Sequence, residues 1–326
     1  MNVKVKNFVT PEKTKYHAEM LANRIRKRFA HLSKRFKREG IDCFRLYDWD
    51  IKEVRAVVDW YAGHVVIAEY ERLQTGPDWL PCMAEAVAGA LNLPLSRVHM
   101  KRRRTNVKEG PRYSVKKSSA EKPERFIVRE RHLKFWVNLD DFLDTGLYSD
   151  HRDTRVMIGQ LAKDKDFLNL FAYTGVFTCT AASGGAKTTT TVDRSGTYIQ
   201  WAKDNMELNG LRGPQHTFIQ SDVEKFLSQT GRGRQRFTLA FVDPPSFFQE
   251  TSKGVAFDIN VDHPKLLQNV LQVMAPGSTV FFSTNHQRFE PKLGGLAVKD
   301  LKEITPATIP EDYRNEQVHR CWQMTV

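Results

Sequence analysis

Residues Asp166 to Gly175, DFLNLFAYTG, constrain the fold more than any other stretch of the chain. Phe167, Leu168, Leu170 and Phe171 make the continuous apolar run of a strand covered on both faces, as in a parallel sheet. The run breaks into a tight turn at Gly175, and Val176 to Ala182 has helical character. Strand, turn and helix in that order open a βαβ unit, whose first turn is a nucleotide-type binding corner. Only one glycine marks the turn, whereas a pyrophosphate site asks for G-x-G-x-x-G so that backbone can approach the phosphates. A nucleoside cofactor without pyrophosphate is therefore expected, and S-adenosylmethionine meets that condition. Asn169, Phe171, Tyr173, Thr174 and Gly175 lie along this strand and turn.

Two later acids fit the same unit. Lys187 to Asp193, KTTTTVD, is β-branched and ends in a carboxylate 18 residues past Gly175, close to the roughly 20 of a strand–helix–strand repeat. An acid there can accept both ribose hydroxyls, with Arg194 and Ser195 beside it. His216 to Asp222, HTFIQSD, reads as a third strand, with Asp222 for the adenine amino group and Val223 next to it. Each acid alone is equally well a helix cap; the ordered set is not so easily explained. Upstream, LDTGLYSDHR (143–152) supplies Arg152 as a candidate fork for the methionyl carboxylate, with a polar linker as the plain alternative.

Phe237 to Asp243, FTLAFVD, is a fourth buried strand, followed at once by Pro244, Pro245 and Ser246. Proline fixes φ and donates no hydrogen bond, so the chain leaves the sheet extended at its carboxyl edge, where open α/β folds bind ligands. Asp243, Pro244, Pro245 and Asn285 are the candidate catalytic residues. Ser246, Phe247 and Phe248 are candidates to hold a flat substrate, against the ordinary reading of two core phenylalanines. Helices are expected over 197–209 and 262–274, a strand over 278–283, and a last strand over 318–326 on the sheet edge.

Charge is uneven. The formal net charge is +12; residues 1–150 carry 30 Lys+Arg against 20 Asp+Glu, and the remainder 20 against 18. A polyanion-binding part beside a nearly neutral catalytic part is expected. Residues 15–39 read as an amphipathic helix with Leu21, Ile25, Phe29, Leu32 and Phe36 on one stripe and Arg26, Arg28, Arg35 and Arg38 among its basic positions. Lys101 to Arg125 holds ten basic and three acidic residues, including Arg102, Arg103 and Arg104. Both segments are candidate phosphate contacts, with solvated surface as the alternative. Between them, 41–138 reads as a small α+β module. Cys43, Cys82, Cys179 and Cys321 have no metal-ligand spacing, so no metal is expected, and isolated thiols suit a reducing cytoplasm. No signal-peptide core and no apolar run of about 20 residues stands out.

Jointly, NLFAYTG, TTTTVDRS, NGL, FVDPPSF, FDINVDHPKLL, FFSTNHQRF and LDTGLYSDHR, with LANRIRKRF, EGIDCFRLYD and HVVIAEY upstream, resemble bacterial S-adenosylmethionine-dependent 23S rRNA methyltransferases. The likeness is to the C-terminal, guanine-N7 half of the bifunctional large-subunit enzyme, and it runs from about Ala22 to the end. It implies a seven-stranded Rossmann-like methyltransferase domain (141–326) preceded by a basic helical segment (1–40) and an α+β accessory module (41–140), with Asn169, Phe171, Tyr173, Thr174 and Gly175 as candidate residues lining the cofactor corner. It also implies 23S rRNA, or a precursor of the large subunit, as partner, and 7-methylguanosine as product. Methyl transfer would go by direct in-line attack of an unpaired or extruded base, with no covalent enzyme intermediate. A separate guanine-N2 methyltransferase is a candidate partner. Ala172, where the family has serine, and the apolar Phe247-Phe248 depart from its pattern. A 5-methylcytosine branch puts a cysteine in the motif after strand five; here that segment is Ser283-Thr284-Asn285. The remaining alternative is an RNA-binding protein that keeps the cofactor without catalysis.

Overall fold

The structure, a computed structural model, describes residues 9–71, 75–104, 124–142, 144–250 and 255–326. The chain divides into two compact units. The first comprises the described residues of Met1–His132 with Trp136–Thr145 and Glu311–Arg314; the second comprises Leu133–Phe135, Gly146–Pro310 and Asn315–Val326.

The elements of the first part of the chain are α1 (Pro11–Glu39), β1 (Cys43–Asp48), β2 (Ala56–Tyr61), β3 (His64–Glu71), α2 (Trp79–Leu91), β4 (Val98–Arg104), β5 (Phe126–Glu130) and β6 (Leu133–Val137). Helix α1 begins four residues before the amphipathic stripe suggests. Thr10 caps it, its side chain accepting from the Lys13 N–H, and Pro11 sits at the first turn where no N–H is needed. The stripe is buried at Leu21, Ile25, Leu32 and Phe36, and packs with Leu46, Val58, Ile67, Trp79 and Met83 in one core. Strands β1, β2 and β3 pair antiparallel, and β4 joins β3 in parallel after the α2 crossover. Most of the basic stretch after Arg104 lies outside the described residues.

The second part of the chain runs α3 (Arg152–Leu161), β7 (Asp166–Leu170), α4 (Val176–Ser183), β8 (Thr188–Asp193), α5 (Gly196–Leu208), β9 (His216–Gln220), α6 (Val223–Gly231), β10 (Phe237–Val242), β11 (Phe247–Glu250), β12 (Val255–Asp258), α7 (Ile259–Gln272), β13 (Met274–Thr284), β14 (Asp300–Glu303), α8 (Thr305–Thr308) and β15 (Arg320–Thr325). The sheet order is β14-β15-β13-β10-β7-β8-β9. The five strands from β9 to β13 are parallel, and β15 and β14 are antiparallel. This is the expected seven-stranded Rossmann-like sheet. Its parallel strands are apolar on both faces because helices cover both: Leu168, Leu170, Ala240, Val242 and Val280 pack in one core and Phe167, Leu239, Phe241 and Phe281 in the other. The threonine strand β8 is buried without penalty because its hydroxyls pair, Thr191 with Thr178 at 2.8 Å and Thr189 with His216 at 2.9 Å.

Three details differ from the sequence reading. The last strand, β15, is not on the edge; β14 covers it. β14, Asp300–Glu303, is exposed at every position, and a short charged edge strand carries no hydrophobic alternation to read. Strand β13 starts at Met274, with a register shift against β10, so Pro276-Gly277 lies inside an irregular strand rather than in a loop. The segment after Asp-Pro-Pro-Ser is an antiparallel hairpin, β11–β12, an element the sequence reading does not assign.

Gly175 adopts a left-handed φ of +71°, and a Cβ there would stand 2.5 Å from that of Ala202 on α5. Gly210 has φ +69° with open space around it. A left-handed alanine costs about 1–2 kcal/mol at either position, and overlap adds about 1–3 kcal/mol only at the first. Urea melts should therefore show Gly175→Ala clearly more destabilised than Gly210→Ala. Equal losses would mean that the contact between the turn and α5 is not tight.

Candidate active site

The turn after β7 is wound by alternating left-handed residues: Phe171 (φ 55°), Tyr173 (φ 51°) and Gly175. Bulky residues adopt this conformation only when their surroundings impose it. The imposing groups are on the page. Ala172 N–H donates to Val192 O (3.1 Å), and Tyr173 N–H to the Asp193 carboxylate (2.9 Å). Thr174 Oγ1 donates to Gly146 O (2.6 Å), and Asn205 to Thr174 O (2.9 Å). The second Asp193 oxygen accepts the Ser195 N–H (2.8 Å), and Ser195 in turn caps α5 through Tyr198 N. Burial raises the Asp193 carboxyl above its ordinary range, and the Ser195 and Tyr173 amides pull it back. Each carboxylate oxygen keeps a further lone pair, so the residue fits a ribose diol at the carboxyl end of β8.

The other cofactor candidates divide. Tyr173 is packed between Tyr148 (5.0 Å) and Tyr198 (4.5 Å), and its hydroxyl accepts the Gly146 N–H. Asp222 caps α6 through Lys225 N at 3.1 Å, and Val223 is a core residue. Asn169 is buried and donates to Thr178, so its amide is occupied within the sheet–helix layer. Arg152 opens α3 and is 1% exposed, deeper than a linker residue. Arg194 lies 4.8 Å over the Phe248 ring.

At the end of β10, Asp243 is held among groups from distant parts of the sequence. Its carboxyl is pushed up to about 7, chiefly by burial and then by the charge of Asp150, with His319 and the Ser283 hydroxyl working the other way. Ser246 donates to Asn285 Oδ1 at 2.9 Å, joining the Asp-Pro-Pro-Ser turn to the segment after β13. Phe247 is 50% exposed. Phe248 instead stacks on Phe257 (11° between planes), which packs with Phe171. Of the two phenylalanines, only Phe247 presents a broad open surface.

His151, Ser283 and His319 carry no role in the sequence reading. His151 meets Ser283 from 132 positions away and stacks on His319 near Asp243, and no local spacing signals it. Asp150, His151 and His319 bring three metal-ligand groups together. The two imidazole rings, however, stack at 14° with centroids 4.0 Å apart. An imidazole binds metal in its own plane, and two stacked parallel planes do not share such a point.

Among the basic candidates, Arg26, Arg35 and Arg38 are exposed on α1, but Arg28 donates to Asp312 O, and Arg35 pairs with Glu39 and Glu311. Arg102 contacts Glu69 (3.6 Å) and Pro77 O, and Arg103 lies 3.9 Å from Asp144. The side chain of Arg104 lies outside the described residues.

The sequence pattern of S-adenosylmethionine-dependent methyltransferases matches residues 49–301. The chain belongs to this family. It is 42% identical over 316 residues to the ribosomal RNA large subunit methyltransferases K/L of Aeromonas salmonicida and Aeromonas hydrophila, an alignment covering 94% of this chain. The alignment covers only 43% of the length of those relatives. The fold is similar to that of SMU.776, a methyltransferase solved with SAH, with a TM-score of 0.74 at 21% identity, covering 100% of this chain and 83% of that one. S-adenosylmethionine is thus the cofactor, and the acid at the end of β8 suits its ribose.

Asp193→Asn would set an amide N–H against a backbone N–H. Losing one buried hydrogen bond this way costs about 1–3 kcal/mol. Calorimetry should show weaker S-adenosylhomocysteine binding together with a lower melting temperature. Unchanged values for both would remove Asp193 from the corner's frame.

Proposed function

We propose that this chain methylates N7 of a guanine in large-subunit ribosomal RNA. The two Aeromonas relatives are named for methylation of that RNA. The observation that carries the atom is the Ser246–Asn285 hydrogen bond. With its oxygen occupied by Ser246, Asn285 offers N–H donors next to the Asp-Pro-Pro-Ser turn. The Hoogsteen edge of guanine carries only acceptors, O6 and N7, whereas adenine offers a donor there and cytosine an amino group. A donor at this place suits guanine.

When bound, S-adenosylmethionine supplies an electrophilic methyl group. Guanine N7 carries a lone pair and no proton, so the protein need supply no general base. Its work is positioning and charge. The corner from Asn169 to Gly175, with Asp193, Arg194, Ser195, Asp222, Val223 and Arg152, holds or frames the cofactor. Pro244 and Pro245 fix the wall of the crevice. Asp243 faces the charge that forms on the methylated base. In A-form RNA, N7 lies in a groove side chains cannot enter, so the target is unpaired or extruded and stacks on Phe247, with Arg194 and Phe248 as the supporting wall. The first unit, with the exposed Arg26, Arg35 and Arg38 and with Arg28, Arg102, Arg103 and Arg104, is the accessory RNA-binding module.

Cytosine-C5 chemistry is disfavoured on a specific ground. Cys179 and Cys321 are fully buried, and burial pushes both thiols up, away from the thiolate a nucleophile needs.

Nucleoside analysis of 23S rRNA incubated with the enzyme and labelled S-adenosylmethionine should place the label in 7-methylguanosine. Label in N2-methylguanosine or 5-methylcytidine would overturn the assignment. Phe247→Ala should weaken RNA capture by about 1–3 kcal/mol, the worth of one base stack, and leave cofactor affinity unchanged. A native methylation rate in that variant would place the base elsewhere. Asp243 acts ionised and titrates at about 7, so the single-turnover rate should rise roughly tenfold from pH 6 to pH 8. A flat profile would show that its charge is not used.

A further inference from the structure

One end of the first unit's four-stranded sheet carries a cluster of arginines and aromatic rings on the face turned away from its helices. Val65, Ile67 and Val98 point to α1 and α2, in one core with Leu21, Ile25, Trp79 and Met83. Side chains alternate along a strand, so Tyr70 on β3 and Arg103 on β4 point the other way. These two are register partners. Arg55 extends the row on the β2 side, where its carbonyl accepts the Tyr70 N–H at 3.0 Å just beyond the β2–β3 pairs. Neighbours across strands share a face, so Arg55, Tyr70 and Arg103 form one line across the sheet.

Trp49, which follows β1, lies over this line. Its ring stacks on Tyr70 with centroids 5.6 Å apart and 23° between planes, and the Arg55 guanidinium is 4.8 Å from its centre. Both supports rise from one face of the sheet, so they take the same side of the indole. Trp49 is 41% exposed, and the open part is its outer side. Its φ of 53° is left-handed. Bulky residues stay in that conformation only where their surroundings impose it, and such residues gather at ligand sites. The imposing bonds are local: Trp49 N–H donates to Ala56 O (3.1 Å), Asp48 N–H to Asp50 Oδ1 (3.2 Å), and the Tyr47 hydroxyl donates to Val54 O (2.9 Å) and accepts the Ile51 N–H (3.1 Å).

We propose that Trp49 is a stacking platform for an unpaired RNA base other than the one held at Phe247, with Arg55 and Arg103 as contacts to the neighbouring phosphates. The inference rests on the reading of the first unit as an RNA-binding module and names the residues that do the binding.

The charge around the indole fits this occupant. Among the described residues no carboxylate pairs with Arg55, and its Nε makes no hydrogen bond. Arg103 is 3.9 Å from Asp144, beyond hydrogen-bonding distance, and its Nε is also unpartnered. The acids nearby are turned away or engaged. Glu69 points to the helix side, 2% exposed and 3.6 Å from Arg102. Asp48 and Asp50, on either side of Trp49, are taken by Arg45 and Arg24. Lys52 and Glu53 are both exposed and balance each other. A flat aromatic surface flanked by guanidinium donors suits a single-stranded nucleotide, whose base offers a π-face whatever its identity.

The test is binding of a single-stranded oligoadenylate and of 23S rRNA to the full chain. Trp49→Ala should weaken oligoadenylate binding about tenfold, the loss of one base stack. The slope of affinity against salt should not change, because stacking releases no counterions. Trp49→Phe, which keeps a ring, should recover most of the affinity. An abasic oligonucleotide, which keeps the phosphates, should bind Trp49→Ala as well as it binds the native chain; a tenfold loss there too would overturn stacking on a base. Arg55→Gln should lower the salt slope by about 0.7, one phosphate contact on a single strand; an unchanged slope would remove Arg55 as that contact. Circular dichroism and S-adenosylhomocysteine affinity confirm that each variant is folded. Native oligoadenylate affinity in folded Trp49→Ala overturns the platform alone. A native chain that binds neither RNA overturns the reading of the first unit and the platform with it.

Discussion

The rest of the catalytic unit depends on one carboxylate bound to two backbone amides. Asp193, at the end of β8, takes the N–H of Tyr173 with one oxygen and that of Ser195 with the other. Hydrogen bonds to a charged group contribute about 1.5–3 kcal/mol each, enough to offset the roughly 1–2 kcal/mol that each left-handed bulky residue costs. The first bond winds the turn after β7; the second places Ser195 to cap α5. One side chain thus sets the two backbone segments that face each other across the cofactor corner and remains available to a ligand. A dinucleotide site achieves a comparable approach with glycines; here a carboxylate holds Tyr173 in a conformation glycine would adopt freely.

The same economy shapes the charge distribution of the first unit. Its basic excess looks like open phosphate-binding surface in a residue count, yet a good part is engaged within the unit. Arg45 donates to Asp48 and Asp59 and stacks over Tyr313, and Arg28 and Arg35 reach the segment Glu311–Arg314. Exposed pairs such as Arg35–Glu39 contribute little stability and exchange readily for phosphate; the enclosed Arg45 pairs do not. The positions on α1 that remain exposed, notably Arg26 and Arg38, are therefore a better measure of the charge open to a polyanion than the total.

How much was legible in the sequence follows from the range of the interactions involved. Strands β7, β8 and β10 were readable because burial on both faces writes a continuous apolar or β-branched run, and the acid that ends β8 falls at the spacing set by the βαβ repeat. The interior stripe of α1 was readable from its period, although the cap at Thr10-Pro11 lay outside it. The edge strand β14 left no mark, since it buries neither face. The hairpin after Asp-Pro-Pro-Ser was missed because β12 lies beyond residues with no strand pattern, and its pairing is what turns Phe248 onto Phe257. The meeting of His151 and Ser283 was invisible for a different reason: the two are 132 positions apart. Only the sheet order, with β13 beside β10, brings the serine to the histidine.

A crystal structure with S-adenosylhomocysteine tests the central claim most directly. The account predicts both ribose hydroxyls on the Asp193 carboxylate, the adenine edge at Asp222, and the turn from Phe171 to Gly175 unmoved. A ligand seated away from Asp193, or a turn that rewinds to admit it, would contradict the account.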